Sequence, residues 1–114
     1  MARVRHSLIR VPVECGGKKL TALLDSGSEV SLITKVASKG IPHAVREADM
    51  TVVGMAGRTK TEGLMKNIPV LIGGQETDLG LCIVSGEGLS FEMLLGRDWI
   101  HTNLIISLEQ EEGS

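Results

Sequence analysis

The chain has 114 residues, which allows one domain with one modest core. Hydrophobic residues make up 42% of it, far from a disordered composition, and a net charge of −2 with no basic stretch interleaved with aromatics excludes the usual nucleic-acid footprint. Aromatic residues amount to 2%, namely Phe91 and Trp99, so base-stacking modules are excluded and the core must be built from Val, Ile, Leu and Met.

Leu8 to Glu14 reads as a first strand, with Pro12 marking an edge or a bulge. Gly16-Gly17, followed by Lys18-Lys19, is a hairpin turn, and Leu20 to Leu24 is the returning strand. A polar knot, Asp25-Ser26-Gly27-Ser28-Glu29, follows, and Val30 to Thr34 resumes as a strand. Lys35 to Lys39 has room for one helical turn closed by Gly40 and Pro42, and His43 to Asp49 is polar and ambiguous. Met50 to Val53 is a strand, Gly54 to Arg58 a hairpin tip, and Thr59 to Gly63 leads back. A glycine-bounded hairpin on Thr-rich arms is a candidate mobile flap, because glycine permits unusual dihedrals and a thinly packed hairpin opens cheaply.

Ile68 to Ile72 is a separate strand, Gly73-Gly74 a turn, and Leu79 to Val84 a continuous apolar strand expected to be buried on both faces. A loop over Ser85 to Ser90 precedes a strand from Phe91 to Leu95, which ends at Gly96. Arg97 to Asn103 is the best helix candidate, Leu104 to Leu108 a last strand, and Glu109 to Ser114 an acidic tail. Short strands with glycine turns about every ten residues and one short late helix indicate an all-β barrel or sandwich, a single domain over 1–114 with its core at about 8–108.

Two cysteines, Cys15 and Cys82, are too few for a disulfide scaffold, and their apolar surroundings favour buried free thiols over a bridge. No apolar run approaches the ~18–20 residues of a membrane span, and Arg3 and Arg5 precede no long apolar region, so a cytoplasmic or particle-enclosed location is expected. His6, His43 and His101 show no ligand spacing, so no metal or cofactor is implied.

The chemistry centres on Asp25. An acid between two apolar strands must be neutralised, paired or put to work. Gly27 lets the backbone turn sharply, the Ser26 hydroxyl can lock the loop, and the carboxylate is presented on a rigid support. One carboxylate alone is a poor catalyst of peptide hydrolysis, whereas two at hydrogen-bonding distance share a proton and act as base and acid together. Asp49, Asp78 and Asp98 are the other candidates for the second acid, but none is followed by Ser/Thr-Gly. A single motif therefore implies a symmetric homodimer, with Asp25 facing its own copy across a two-fold axis.

Ala22-Leu23-Leu24-Asp25-Ser26-Gly27-Ser28, the hairpin at Gly54 to Arg58, Leu94-Leu95-Gly96-Arg97-Asp98 about seventy residues after the first motif, and a closing strand after a short helix occur in that order. In these features the chain resembles the retropepsins, the aspartic proteases of retroviruses and LTR retrotransposons and the cellular domains derived from them. The resemblance implies a closed barrel or sandwich with a flap hairpin and one short C-terminal helix, one lobe per chain. It implies an aspartic endopeptidase acting on a peptide or polyprotein as a homodimer, without nucleic acid, membrane or cofactor. Asp25 would be the catalytic carboxylate. Ser26, Gly27, Ser28, Gly96 and Arg97 would support its loop, Ser26 by interlocking the two protomers. Gly27, Ser28 and Glu29 would face the substrate, together with Gly54, Met55, Ala56 and Gly57 of the flap. Arg97 would make a buried ion pair with an acid, for which Glu29 is available, and Arg3, Arg5 and Arg10 are all candidates to join it from the partner. Leu104 to Leu108 resembles the dimer-forming strand.

Blander readings compete at each position. Asp25 can be an Asx-turn or cap between strands, Arg97 an exposed arginine at a helix start, and Gly54 and Gly57 parts of an ordinary hairpin. Asp25-Ser26-Gly27 with Ser31 also resembles a phosphodegron, a reading the apolar flanks oppose. The other alternative is a retropepsin fold kept as a dimerisation or binding module without proteolysis.

Overall fold

The computed structural model describes residues 9–42, 51–54, 57–86 and 88–103, with the backbone alone for 52–54 and 57–59. The first hairpin joins β1 (Ile9–Cys15) to β2 (Lys18–Leu24) in the register Cys15↔Lys18. Its two turn residues, Gly16 and Gly17, have φ of +56° and +87°. Two consecutive left-handed residues give a turn whose twist matches that of the flanking strands, and glycine adopts it without strain. Gly73-Gly74 repeats the device, with φ of +57° and +85°, between β5 (Gly57–Ile72) and β6 (Gln75–Val84).

The remaining elements are β3 (Ser31–Thr34), α1 (Lys35–Ser38), β4 (Thr51–Gly54), β7 (Met93–Leu95) and a helix, α2, over 97–103. The strands run in the order β1-β2-β7-β3-β6-β5-β4, and β1 pairs again with β5 through Glu14↔Leu71 and Cys15↔Val70. That second pairing closes six strands into a barrel and leaves β4 beyond the closure, as an arm on the first residues of β5. β7 is the last of the described strands but lies between β2, to which it is parallel, and β3, to which it is antiparallel.

The central strands are apolar on both faces, and side-chain alternation sends neighbours to opposite sides. Ala22, Ile33, Leu81, Ile83, Met93 and Leu95 belong to the main core inside the barrel. Leu23, Leu32, Cys82, Val84 and Leu94 form a second cluster on the outer face, closed over by Phe91 and Leu89. The expected strand at Leu79 to Val84 reads as a continuous apolar run for this reason. The covering loop is held by the Thr34 amide, which donates to the Glu92 carbonyl at 2.9 Å, and by Arg10 Nη1, which donates to the Ser90 carbonyl at 3.2 Å.

One expectation needs correction. Thr59 to Gly63 and Ile68 to Ile72 are not separate pieces but parts of the one 16-residue strand β5. Register shifts at Thr61/Gly63 and Met65/Ile68, with Asn67 at φ +55°, bend the strand without ending it. The helical turn expected over Lys35 to Lys39 forms as α1. Its N-cap Thr34 accepts from the Ala37 amide at 3.2 Å, and Lys18 Nζ donates to the carbonyls of Ala37 at 2.9 Å and Lys39 at 3.0 Å at its C-terminal end. The expected strand at Leu104 to Leu108, the acidic tail and the segment His43 to Asp49 lie outside the described residues.

Cys15 and Cys82 are free and buried. Burial pushes the Cys15 thiol from 9.0 up to about 11, and burial followed by the charge of Asp98 pushes Cys82 up as well. The folded chain therefore holds these protons at a pH where the unfolded chain releases them. The resulting stability is complete below pH 9.0 and is lost as the pH rises through about 11. A thiol reagent at about pH 8 should label neither cysteine in the native protein and both in denaturant, and the unfolding midpoint should fall across that alkaline window.

Candidate active site

Leu24, the last residue of β2, pairs with Leu95 of β7, and the next amide, that of Asp25, donates to the Leu95 carbonyl at 2.9 Å. The chain then turns on itself. Asp25 Oδ1 accepts from the Gly27 amide at 2.9 Å, and the Ser28 amide donates to the Asp25 carbonyl at 3.2 Å. This is an Asx-turn, so the bland reading of Asp25 is correct locally, and the residue is buried, at 8% exposure, directly beside the exposed Ser26. A Cβ on Gly27 would lie 3.1 Å from Asp25 Oδ1, so the absent side chain leaves the amide free to approach the carboxylate. Ser26 is exposed, and its hydroxyl meets no partner among the described residues.

Beneath the loop lies the start of α2. A Cβ on Gly96 would fall 2.6 Å from the Ser28 carbonyl oxygen and against that of Val30, both backbone atoms that cannot step aside. The contact is reinforced by hydrogen bonds on either side. The Arg97 amide donates to the Ser28 carbonyl at 2.7 Å, and Ser28 Oγ donates to the Val30 carbonyl at 2.8 Å. Ser31 Oγ accepts from the Gly96 amide at 3.1 Å and donates to Asp98 Oδ1 at 2.6 Å, while the Ser31 amide donates to Asp98 Oδ2 at 3.1 Å. Asp98 Oδ1 also accepts from the Trp99 amide at 2.8 Å, an acid in the first turn of the helix where the exposed amides favour it.

The structure thus brings together Asp25, Gly27, Ser28, Gly96 and Arg97, with Ser26 at the exposed tip. Ser28 is buried at 1% exposure, so in the single chain it braces the loop and does not face an open surface. Arg97 Nη2 meets Glu29 Oε1 at 3.2 Å, as the sequence suggests, but the side chains are 41% and 83% exposed, so the pair is not buried. In that setting it contributes about 0–1 kcal/mol. These two residues, with Asp98 and His101, line a shallow depression beside the loop. Gly54 pairs with Gly57 across β4 and β5, which confirms the hairpin, whereas Met55 and Ala56 lie outside the described residues.

The sequence reading missed Ser31 and Asp98 as supports of the loop. It weighed Asp98 only as a possible second catalytic acid, a role for which its carboxylate is already committed to Ser31 and Trp99. Its place in the first turn of a helix was the available signal. No group of three or more His, Cys, Asp or Glu that could hold a metal occurs among the described residues.

The model of the family of retroviral aspartyl proteases matches residues 7–106. The chain belongs to this family. Among solved structures, the fold of this retroviral-type protease chain is similar to that of EIAV protease complexed with the inhibitor HBY-793, with a TM-score of 0.69 at 15% sequence identity over 90% of this chain and 93% of that one. A search of curated proteins by sequence finds no match. The closed barrel, the hairpin arm and the late helix anticipated from the motifs are therefore those of the family fold, kept while most residues have changed.

Gly96→Ala should destabilise the protease domain by about 3 kcal/mol or prevent its folding, measured by denaturant unfolding, because the methyl group meets two carbonyl oxygens. Ser31→Ala removes a donor from Asp98 and an acceptor from the Gly96 amide, and should cost about 1–3 kcal/mol in the same assay.

Proposed function

We propose that the chain is an aspartic endopeptidase that works as a homodimer, each protomer contributing one Asp25. The observation that supports this most is the placement of Asp25 in a chain of this family. Its backbone is bonded to Leu95, its carboxylate is held by Gly27, and the loop rests on Gly96. A carboxylate presented so firmly needs a second one to activate water, and no other Asp of the chain has the same loop. A two-fold axis beside the exposed Ser26 would bring Asp25 to its copy and let the two Ser26 hydroxyls interlock.

In this reading the two carboxylates share one proton and titrate as a unit. The ionised one takes a proton from water as the water oxygen attacks the scissile carbonyl carbon. The protonated one gives its proton to the carbonyl oxygen. The tetrahedral intermediate then collapses: the carboxylate that gave its proton takes one back from a hydroxyl of the intermediate, the C–N bond breaks, and the amine nitrogen leaves with the proton held by the other carboxyl, so the dyad again holds one proton. No covalent enzyme adduct forms. The peptide lies extended between the protomers, with Gly27, Glu29 and the Gly54 to Gly57 hairpin pairing with its backbone, and its side chains are mostly apolar.

Incubation with a peptide library at about pH 4–7 tests the reaction. Asp25→Asn should abolish cleavage and leave the fold intact by circular dichroism, and retained activity would sink the mechanism. Specific activity should also fall on dilution below the dimer dissociation constant, whereas activity strictly proportional to enzyme concentration would mean a monomeric site. A stable wild-type dimer that cleaves nothing would favour a binding module.

A further inference from the structure

Helix α1 and the start of β2 form one face. Lys35 opens α1 and Lys39 caps its end, one turn later, and both are exposed. Lys18 reaches the same place from β2, where its Nζ donates to the carbonyls of Ala37 and Lys39. Val36, beside Lys35, is 69% exposed, an apolar side chain left in water. The face is held in shape from below. Gly16 packs against Ile41 with no room for a side chain, and Ser38 Oγ donates to the Lys35 carbonyl at 2.7 Å. Among the described residues, no carboxylate lies within ion-pair distance of Lys18, Lys35 or Lys39. Lys19, by contrast, stands opposite Glu14 in the β1–β2 register. A chain with a net charge of −2 thus carries a compact positive face.

Two strands connect this face to the candidate active site. β2 leads from Lys18 to Leu24, directly before Asp25, and β3 leads from Ser31, beside the Asp25 loop, to Thr34, directly before α1. The face is therefore about 20 Å from Asp25, at the opposite end of β2. A two-fold contact through Ser26 leaves it open, and an extended polypeptide covers that span in about six residues. We infer that this face is a docking surface for an acidic segment of the polypeptide substrate, outside the cleft. The inference rests on the endopeptidase reading above and adds a preference to it, for glutamates or aspartates about six residues or more from the cleaved bond. Three ammonium groups on flexible stems suit carboxylates that arrive without fixed geometry. The chemistry of the face favours a polypeptide over other anions. Val36 alone is too little apolar surface to enter a bilayer. Phe91 and Trp99, the two aromatic residues of the chain, pack on the core clusters and are not on this face to stack a base.

The test uses the whole chain and leaves Lys18 in place, because it closes the end of α1. A peptide that the wild type cleaves is extended, after a spacer of about six residues, by a run of glutamates or by the same run of glutamines. At low salt the glutamate peptide should have a KM about tenfold below that of the glutamine peptide, with kcat unchanged. The advantage should vanish at about 0.5 M salt. K35Q/K39Q should remove it, and K35E/K39E should transfer it to a peptide ending in lysines. All three proteins should cleave the unextended peptide equally, which shows that fold and site are intact.

Equal KM values for the glutamate and glutamine peptides overturn the inference, as does an advantage that survives in K35E/K39E. Vesicles of phosphatidylserine or a duplex oligonucleotide that bind through Lys35 and Lys39, when the glutamate peptide does not, overturn it in favour of another anion. A wild type that cleaves no peptide overturns the proposed activity instead. The fluorescence anisotropy of a labelled glutamate peptide, titrated with wild type and with K35E/K39E, then decides the docking surface by itself: binding lost in the variant supports it, and equal binding overturns it.

Discussion

Everything around Asp25 depends on one close approach, that of the Gly96 backbone to the carbonyl oxygens of Ser28 and Val30. No side chain fits between them. Because the two backbones touch, the Arg97 amide reaches the Ser28 carbonyl and the Gly96 amide reaches Ser31 Oγ. Because β7 lies directly beside β2, the Asp25 amide finds the Leu95 carbonyl. The carboxylate loop is exposed at its tip, yet it is fastened from beneath by a strand and a helix that come about seventy residues later. A loop built from Ser, Gly and Glu would be mobile without that support. With it, the loop is fastened to the strand and helix beneath it by the Asp25, Gly96 and Arg97 amides.

The same arrangement explains why the acids of the site have different fates. Asp25 turns back on its own loop amide. Asp98 is used for structure, with its two oxygens taking the Ser31 hydroxyl, the Ser31 amide and the Trp99 amide. Its charge is felt by the Cys82 thiol on the neighbouring strand, which is a second reason, after burial, for that thiol to stay protonated. Glu29 is in water and holds Arg97 loosely from the surface. Three carboxylates within a few residues of one another in space thus differ in what surrounds them, and only Asp25 is presented in a way that suits the proposed chemistry.

The two-faced burial of the central strands has a consequence for the site as well. Leu23 and Leu32 flank the carboxylate loop in sequence and turn outward, into a cluster that Phe91 and Leu89 cover. Ala22 and Ile33, one residue away, turn inward. The loop therefore emerges from a layer packed on both sides, and a slip of either strand by one residue would force Leu23 and Leu32 into the space that Ala22 and Ile33 fill. The rigidity needed to hold two reacting groups in register, in the dimer proposed here, begins in this packing.

Local signals in the chain were strong enough to place most elements. Gly16-Gly17 and Gly73-Gly74 announced hairpins because only glycine takes two left-handed residues in succession cheaply. The alternation within β1 and the unbroken run in β6 distinguished one-sided from two-sided burial. Asp25-Ser26-Gly27 in apolar flanks, with Leu94-Leu95-Gly96-Arg97 far downstream, was sufficient to identify the family. What the sequence could not carry was anything decided by a partner distant along the chain. Pairing with β6 keeps β5 continuous through two bulges, so its polar middle was mistaken for a break. Ser31 became a support only because Asp98 and Gly96 arrive beside it. The Arg97–Glu29 pair was correct in its partners, yet its exposure depends on the shape of the whole lobe. Backbone preferences and apolar patterning act over a few residues and are legible one residue at a time. Hydrogen-bond partners and burial depend on which strands lie side by side, and that was settled only when β7 inserted between β2 and β3.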